Sequence, residues 1–341
     1  MADRKPRSTN KSRVTMQQVA LAAGTSMISV SRAFRPDSGV SPALRARIEA
    51  VAAALGYVPD RAASALASAR SMNIAVLIPS LTNMVFVDIL AGISEAVTPQ
   101  GYQIITATSL YSAAEELRLL RSLLAFRPDG VLLTGLEQAP ATLALLDNAA
   151  ACPSVHMMAL SQTPQRYCVG FSQQDAGAEI ALHLLERGYK KIGFVASQLD
   201  PRTMARGEGF QNALTQAGYS STRTLMVPQA SSIALGGALM AQMLAQYPDT
   251  DALFFCNDDL AQGALFYCQR HGIKVPEQVA LVGFNDLPAS AYTSPALSTV
   301  TTPRYEVGKQ AAMMLLSLMS GQTPPAHSLD LGFTLHTRET S

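Results

Sequence analysis

The sequence of 341 residues predicts a small all-α head with a helix-turn-helix, then a hinge helix, then an α/β body of two parallel-sheet subdomains. In the head, three short apolar patterns with helical spacing are bounded by cap residues. From Ile74 onward, short apolar runs alternate with longer helical patterns, which is typical of parallel sheets covered by helices. We expect the head to span residues 1–59, the hinge 60–73 and the body 74–341.

The charge divides close to the same boundary. Residues 1–70 hold 11 Lys and Arg against 4 Asp and Glu, whereas residues 71–341 hold 15 against 21, so a net charge of +7 precedes one of −6. A basic head favours a polyphosphate partner, although a merely solvated basic tail would carry the same charge. The hydrophobic fraction of 48% is ample for a buried core and excludes disorder for most of the chain.

Membrane and metal signals are missing from the sequence. The apolar runs end well short of the roughly 18 residues of a membrane span. Residues 1–13 are polar and basic, unlike an export signal, so we expect a cytoplasmic protein. Four cysteines lie in apolar contexts without a CxxC pair or a nearby metal-spaced histidine: Cys152, Cys168, Cys256 and Cys268. We expect buried thiols, and neither a metal nor a cofactor.

The first helix of the head is predicted by Thr15-Met-Gln-Gln18, which has the form of a capping box. Its buried face would consist of apolar residues at helical spacing, namely Val19, Ala22 and Ala23. Gly24 can adopt the positive φ of a tight turn, and Ser26 can cap the helix that follows. The pattern therefore predicts two helices joined by a short turn.

The second helix has two different faces. The face expected to enter the core carries Val30, Ala33 and Phe34. The opposite face carries Met27, Ile28, Ser31 and Arg32. Two apolar side chains would therefore be exposed near the start of this helix.

A third helix is predicted from Ser41-Pro42, a cap followed by Pro at the first helical position, to Gly56. Its buried stripe would consist of Leu44, Ile48, Val51 and Leu55. Three short helices with a tight turn between the first two make a helix-turn-helix. The second helix of such a unit fits the major groove of DNA.

Three segments of the head match a known pattern. They are Val14-Thr-Met-Gln-Gln-Val-Ala-Leu-Ala-Ala-Gly-Thr-Ser-Met-Ile-Ser-Val-Ser-Arg32, Val40-Ser-Pro-Ala-Leu-Arg45 and Leu55-Gly-Tyr-Val-Pro-Asp-Arg61. Together they closely resemble the DNA-binding head of the LacI/GalR repressor family. The resemblance implies that Met27, Ile28 and Arg32 read base edges. It also implies positions near the phosphates for Thr15, Ser26, Ser29 and Ser31.

The chemistry of these side chains suits the implied roles. The Arg32 guanidinium can reach O6 and N7 of guanine, whereas Met27 and Ile28 can contact the methyl groups of thymine. The alternative for the two apolar side chains is packing against the body.

Residues 60–68 form an Ala-rich segment with good helix propensity but only about two turns of length, so the helix alone is marginal. The resemblance makes it a hinge helix that folds when two copies pair in the minor groove and insert Leu66 between base steps. It also assigns Arg61 and Ala63 to the DNA. Asp60 stands where relatives usually carry Asn, which adds negative charge near DNA. The alternative is a passive linker.

Six apolar runs of the body are predicted as buried strands: Ile74–Ile78, Gln103–Thr106, Gly130–Thr134, Ile192–Ala196, Ala252–Cys256 and Val279–Gly283. In open parallel sheets, ligands bind beyond the carboxyl ends of the strands. Candidate binding residues follow the strands there: Asn83, Phe86, Asp175, Arg202, Arg206, Asn257, Asp258, Asn285 and Asp286. Amides and carboxylates suit the hydroxyls of a sugar-like ligand, and paired arginines suit a carboxylate. Each residue alone is equally compatible with a helix cap or a local ion pair.

The resemblance to the LacI/GalR family continues over essentially the whole chain. It is carried by Arg206-Gly-Glu-Gly-Phe210, Asn257-Asp-Asp-Leu-Ala-Gln-Gly263 and Val282-Gly-Phe-Asn-Asp286, and it implies a body like that of periplasmic binding proteins. Pro79-Ser-Leu-Thr-Asn83 and Leu331-Gly-Phe-Thr-Leu335 look most like the gluconate-repressor branch, whose members respond to gluconate or 2-ketogluconate. That branch implies Arg202 and Arg206 as partners of a carboxylate.

The resemblance implies a transcriptional repressor that binds double-stranded DNA as a homodimer or a higher oligomer, because one head reads one half of a pseudo-palindromic operator. A sugar acid that closed the cleft between the subdomains would separate the hinges and weaken operator binding. Another sugar or metabolite as effector is an alternative. A periplasmic-type sugar-binding protein would share the body but begin with an apolar export signal. The sequence lacks GxxxxGK[ST], HExxH and GxSxG, so an enzyme is not expected.

Overall fold

The computed structural model describes residues 14–34, 39–59, 70–149, 152–219 and 223–341. The chain divides into two compact units, a head of Met1–Ser71 and a body of Met72–Ser341. The expected hinge helix lies outside the described residues, together with the predictions for Asp60, Arg61, Ala63 and Leu66. Within the described ranges, every helix is too short or too polar to span a lipid bilayer.

The described part of the head contains three helices, α1 (Met16–Ala22), α2 (Met27–Ala33) and α3 (Pro42–Leu55). Thr15 and Gln18 form the predicted capping box, in which each backbone N–H donates to the side chain of the other residue. Gly24 has a φ of 59° in the turn between α1 and α2. The sequence therefore predicted the helix-turn-helix correctly.

Packing of the head corrects two details of the predicted core. Val19, Val30 and Ile48 are fully buried, as expected from their helical spacing. On α1, however, Ala20 is buried and Ala22 is exposed, because the buried face is formed by Val19, Ala20 and Ala23 and Ala22 points away from it. Leu55 is also exposed, since α3 has 14 residues and its end extends past the two seven-residue helices.

The described residues of the body form two six-stranded sheets. The first consists of β1 (Asn73–Ile78), β2 (Gln103–Thr108), β3 (Gly130–Thr134), β4 (Ser154–Met157), β5 (Tyr167–Gly170) and β11 (Ser328–Asp330). The second consists of β6 (Ile192–Ser197), β7 (Arg223–Val227), β8 (Ala252–Phe255), β9 (Ala280–Asn285), β10 (Ser298–Thr301) and β12 (Thr334–His336). All six predicted strands are present, and each sheet forms one subdomain.

The two sheets have the same strand order, β2-β1-β3-β4-β5-β11 and β7-β6-β8-β9-β10-β12. Neighbouring strands run parallel except for β10 and β12, which are antiparallel. The chain therefore passes between the sheets three times, after β5, after β10 and after β11. Because the strands are parallel, the polar residues that follow them collect at the carboxyl edges of the two sheets.

Helices cover both sheets: α4 (Met84–Val97), α5 (Ala113–Ala125), α6 (Pro140–Asn148), α7 (Gln173–Glu186), α8 (Pro201–Gln216), α9 (Ile233–Gln246), α10 (Asp258–His271) and α11 (Arg304–Met319). Helices α7 and α8 approach closely through Gly177 and Gly209. A side chain at either position would collide with the backbone of the other helix. A similar contact through Gly92 and Gly308 joins α4 to α11. These contacts fix α8 and α11 relative to their neighbours.

The cysteines agree with the sequence prediction of buried thiols. Cys168, Cys256 and Cys268 are buried, Cys152 is half-buried, and all four are free. Burial raises the pKa of Cys256 to about 11, so this thiol is protonated at neutral pH.

Candidate functional site

A cavity of about 300 Å³ lies at the carboxyl edges of both sheets of the body. The first subdomain contributes Ser80, Thr82, Asn83, Leu110 and Tyr111 to its lining. The second contributes Gln198, Asp200, Thr203, Arg206, Ala230, Ser231, Asn257, Asp259 and Asn285. This volume lies at the lower end of the range of roughly 300–1,000 Å³ found for ligand pockets, so it suits a small metabolite.

Three helix N-termini meet at the cavity. Asn83 caps α4, Asp200 caps α8 and Asn257 caps α10, and each side-chain oxygen accepts a hydrogen bond of 3.1 Å from a backbone N–H of its own helix. The partial positive charge of a helix N-terminus favours anions. The caps therefore use their side-chain oxygens locally while their helices give the cavity a favourable potential for an anionic ligand.

Arg206 is the buried cation of the cavity, with 8% of its surface exposed. Its Nε donates to the carbonyl of Arg202 at 3.2 Å, and Nη2 donates to the hydroxyl of Thr203 at 3.3 Å. Nη1 donates to the carbonyl of Cys256 at 2.6 Å, and the guanidinium lies 4.2 Å from the centre of the Phe284 ring. Burial lowers the pKa of Arg206, but a guanidinium remains charged in proteins. Two of its five N–H groups remain for a ligand.

Oxygen acceptors and amides complete the lining. Asp259 is half-buried and has no hydrogen-bond or ion-pair partner among the described residues. Asn285 is buried at the end of β9 with a φ of 105°, a left-handed conformation that is strained for a residue with a side chain. The Tyr111 hydroxyl accepts from Asn83 Nδ2 at 3.3 Å and can donate its own proton. The pKa of the Tyr111 hydroxyl is raised, chiefly because the side chain is buried.

Four of the nine predicted binding residues line the cavity: Asn83, Arg206, Asn257 and Asn285. Two others are placed elsewhere by their helices. Phe86 is buried in the apolar core of the body, where the ring has no access to the cavity. Asp175 is exposed in the first turn of α7. Neither side chain lines the cavity, so ligand binding by these two residues stays a prediction.

The carboxylates of Asp258 and Asp286 make contacts within the protein and do not line the cavity. The Asp258 carboxylate accepts from Leu287 N at 2.6 Å, from the hydroxyl of Ser290 at 2.8 Å and from that of Thr299 at 2.6 Å. Asp286 accepts from Thr301 Oγ1 at 2.6 Å and pairs with Arg338 at 2.8 Å. Ligand binding by Asp258 and Asp286 therefore stays a prediction.

Arg202, predicted as a second carboxylate partner, makes ion pairs within the protein. Its guanidinium pairs with Glu137 at 2.6 Å and with Asp200 at 3.2 Å. It lines an adjoining cavity of about 220 Å³ rather than the main one. Glu137 follows β3, so the pair joins the two subdomains. Burial and the neighbouring Glu137 raise the pKa of Glu116 in the adjoining cavity to about 7.

Sequence reasoning missed several lining residues, including Tyr111, Gln198, Asp200, Ser231 and Asp259. Gln198 and Asp200 follow a predicted strand, β6, so the rule used for the other candidates also applies to them. Asp259 is adjacent to the predicted Asp258. Ser231 follows β7, which was not predicted, and Tyr111 lies three residues beyond β2 at a φ of 60° that gave no sequence signal.

In the head, α2 presents the predicted outer face. The exposed fractions of Met27 and Ile28 are 52% and 66%, and Arg32 is also exposed. Ser26 caps α2 by accepting from Ser29 N at 3.1 Å, and their hydroxyls are 3.0 Å apart. Ser31 is half-buried on the same helix, and Thr15 caps α1. Two exposed apolar side chains at the start of a helix agree with a surface that contacts another molecule.

Comparison with known proteins supplies the family. Residues 15–60 match the family described as "Bacterial regulatory proteins, lacI family", and residues 181–341 match "Periplasmic binding protein-like domain". The HTH-type transcriptional regulator GntR of Pseudomonas aeruginosa is 45% identical over 340 residues, which cover 99% of this chain and 98% of that protein. The chain belongs to the LacI family of bacterial regulatory proteins.

Solved structures of LacI-family proteins share the fold. The transcription regulator GntR from Chromobacterium violaceum is 47% identical, with a TM-score of 0.77 over 79% of this chain and 99% of that one. The lac repressor dimer bound to operator is 26% identical, with a TM-score of 0.85 over 96% of this chain and 99% of that one. The predicted LacI-family fold and the likeness to the gluconate-repressor branch are thus confirmed. The protein is a transcriptional regulator, not an enzyme.

Proposed function

We propose that this LacI-family repressor responds to a sugar acid, gluconate or 2-ketogluconate, and regulates genes of sugar-acid catabolism. The observation that carries this proposal is the lining of the cavity. A buried guanidinium with two unused N–H groups, Arg206, lies among three helix N-termini, together with acceptors and amides that suit hydroxyl groups. The relatives named GntR support the same assignment.

In the bound state, the effector carboxylate accepts from Arg206. Its hydroxyls contact Asn285, Gln198 and Tyr111. A ligand in this cavity touches both subdomains, so it stabilises their closed arrangement over any open one. Differential affinity for the two arrangements then sets the limit on how far the effector can change DNA binding.

The DNA partner is the second part of the proposal. In our proposal, α2 enters the major groove, where Arg32, Met27 and Ile28 read bases, and the hydroxyls of Thr15, Ser26, Ser29 and Ser31 lie near phosphates. A hinge of residues 60–73, with Arg61, Ala63 and Leu66, joins the head of residues 1–59 to the body of residues 74–341. Two copies bind a pseudo-palindromic operator in the cytoplasm, and the effector releases them.

A titration of the full-length protein tests this function. We expect gluconate or 2-ketogluconate to raise the melting temperature by mass action, and to release a fluorescent operator fragment in an anisotropy assay. Arg206→Gln abolishes both responses to the acid while operator binding is kept. Arg118→Gln, which removes an exposed arginine on α5, serves as the matched control.

Two results contradict the proposal. A neutral hexose that stabilises and releases the wild-type protein while both acids do neither would indicate the alternative effector class. Normal release of the Arg206→Gln variant by gluconate would remove this residue from the effector site.

A further inference from the structure

We propose that Asp259 makes the cavity selective for effectors with a single anionic group, because it binds the hydroxyl-bearing end of the molecule and excludes a second charge there. This inference deepens the proposed function and rests on it. Asp259 is the second residue of α10 and lines the cavity.

Asp259 is the carboxylate of the cavity that remains available to a ligand. The cavity lining contains one other carboxylate, Asp200, and its oxygens are already occupied. Asp200 accepts from the backbone N–H of Arg202 and from the hydroxyl of Thr203 at 3.0 Å, and it pairs with the Arg202 guanidinium at 3.2 Å. Asp259 makes no such contact within the described part of the chain. A carboxylate without protein partners can accept up to about four hydrogen bonds.

The two charges that face the ligand act at separate places. Arg206 lies on α8, which follows β6, whereas Asp259 lies in the first turn of α10, which follows β8. Burial raises the pKa of Asp259. The cavity therefore has a cationic part at Arg206 and an anionic part at Asp259. An elongated monocarboxylate with hydroxyls along its chain matches both.

A second anionic group at the far end of the ligand is repelled by Asp259, whereas a hydroxyl there is attracted. A hydroxyl donates to the Asp259 carboxylate, and hydrogen bonds to a charged acceptor are among the stronger ones. A terminal carboxylate or phosphate has no proton to donate at neutral pH, and its charge is repelled by that of Asp259. The site thus discriminates by attraction of one ligand and by repulsion of the other.

Isothermal titration of the full-length protein with gluconate and with glucarate, which carries a carboxylate at each end, tests this inference. We expect the wild type to bind gluconate at least roughly tenfold more tightly than glucarate. Asp259→Asn keeps the shape and removes the charge, so it weakens gluconate binding roughly tenfold and strengthens glucarate binding. Asp259→Ser provides a second uncharged variant. Glu179→Gln, at an exposed position of α7 outside the cavity lining, is the matched control and leaves both affinities unchanged.

The outcomes separate this inference from the proposed function. In one outcome, gluconate binds the wild type, but the ratio of gluconate affinity to glucarate affinity is the same in the wild type and in both Asp259 variants. Asp259 then does not select the effector, while the sugar-acid function stands. If the wild type binds neither acid, the proposed function fails and the inference fails with it.

Discussion

Asp258 and Asp259 show how two adjacent carboxylates acquire opposite roles. Asn257 caps α10, so the next residue turns its side chain into the protein and the one after faces the cavity. Asp258 is fully buried and accepts hydrogen bonds from Leu287 N and from two hydroxyls, those of Ser290 and Thr299. These contacts tie the start of α10 to the segment that follows β9.

The buried Asp258 predicts a pH dependence of stability. Burial raises the pKa of its carboxyl from 3.8 to about 6 in the folded protein. Between these two values the folded state binds the proton and the unfolded state does not, so stability falls as pH rises through this window. The contribution of Asp258 is fully present below about pH 4, and up to about 3 kcal/mol of it is lost above the folded pKa.

Urea unfolding of the wild type and of Asp258→Asn at several pH values between 4 and 7 measures this effect. We expect the wild-type free energy of unfolding to fall relative to that of the variant as pH rises, because Asn does not titrate. A difference between the two proteins that stays constant over this range would contradict the raised pKa.

The residues of the cavity show what the sequence could predict and what it could not. Arg202 and Arg206 lie one turn apart on α8, so spacing alone gave both the same role. Their difference comes from Glu137, which belongs to the other subdomain and attracts Arg202. Asp258 and Asp259 present the same problem, since the partners of Asp258 lie 29 or more positions away in sequence. The local sequence pattern gave the two residues of each pair the same role, and contacts with residues distant in sequence made their roles different.

At the scale of elements, Arg304 joins the cavity to a helix of the opposite subdomain. It is the first residue of α11 and is buried. Its Nε donates to Asp88 on α4 at 2.9 Å, and Nη1 donates to the carbonyl of Asn285, which lines the cavity. Because α4 and α11 already pack through Gly92 and Gly308, a shift of β9 is transmitted to both helices through this side chain.

Loss of this connection predicts weaker coupling between effector and DNA. Allosteric coupling is typically 1–3 kcal/mol, or about 5–150-fold in affinity. We expect Arg304→Met to retain gluconate binding within about threefold but to reduce effector-induced operator release toward the lower limit of that range. Operator affinity measured by anisotropy, with and without saturating gluconate, gives the coupling directly.

A second ion pair between the same helices provides the control for Arg304. Lys309 on α11 pairs with Glu95 on α4 at 2.9 Å, but neither residue contacts β9 or the cavity. Lys309→Met should therefore leave effector-induced release unchanged. Equal effects of the two substitutions would mean that Arg304 acts only by holding α11 against α4.

The three helices of the head and six of the twelve described strands were predictable from the sequence, and most of the missed strands are short. The predicted strands are apolar runs buried on both faces, which period and composition identify well. Six described strands were missed: β4, β5 and β10 have four residues each, β11 and β12 have three, and β7 is an edge strand with a partly exposed pattern that includes Arg223. Such strands exist because a neighbouring strand supplies their hydrogen bonds, so their own residues carry little signal.

At the scale of the whole molecule, binding of a two-fold operator needs two bodies held together. One face suited to this lies on α9 and α10, where a groove of about 650 Å³ is lined by small residues of α9 and by Phe266 and Tyr267 of α10. Small residues allow a helix of a second copy to approach closely. A second apolar surface lies at the start of α4, where Leu81, Met84 and Val87 are exposed. We expect both surfaces to pair with their own copies around a two-fold axis.

A substitution in the groove separates dimerisation from effector binding. Ala238 is exposed on α9, so Ala238→Arg leaves the folded monomer intact but fills the groove and places a cation near Arg270. We expect the variant to be monomeric by sedimentation and to bind gluconate normally. Its operator affinity should fall by about 10²–10⁴, because the second head no longer binds as part of the same molecule.

Asn212→Arg, at an exposed position of α8, is the control with the same added charge. A dimeric Ala238→Arg variant with wild-type operator affinity would place the interface on another surface, and the exposed start of α4 would then be the next to test with Val87→Arg.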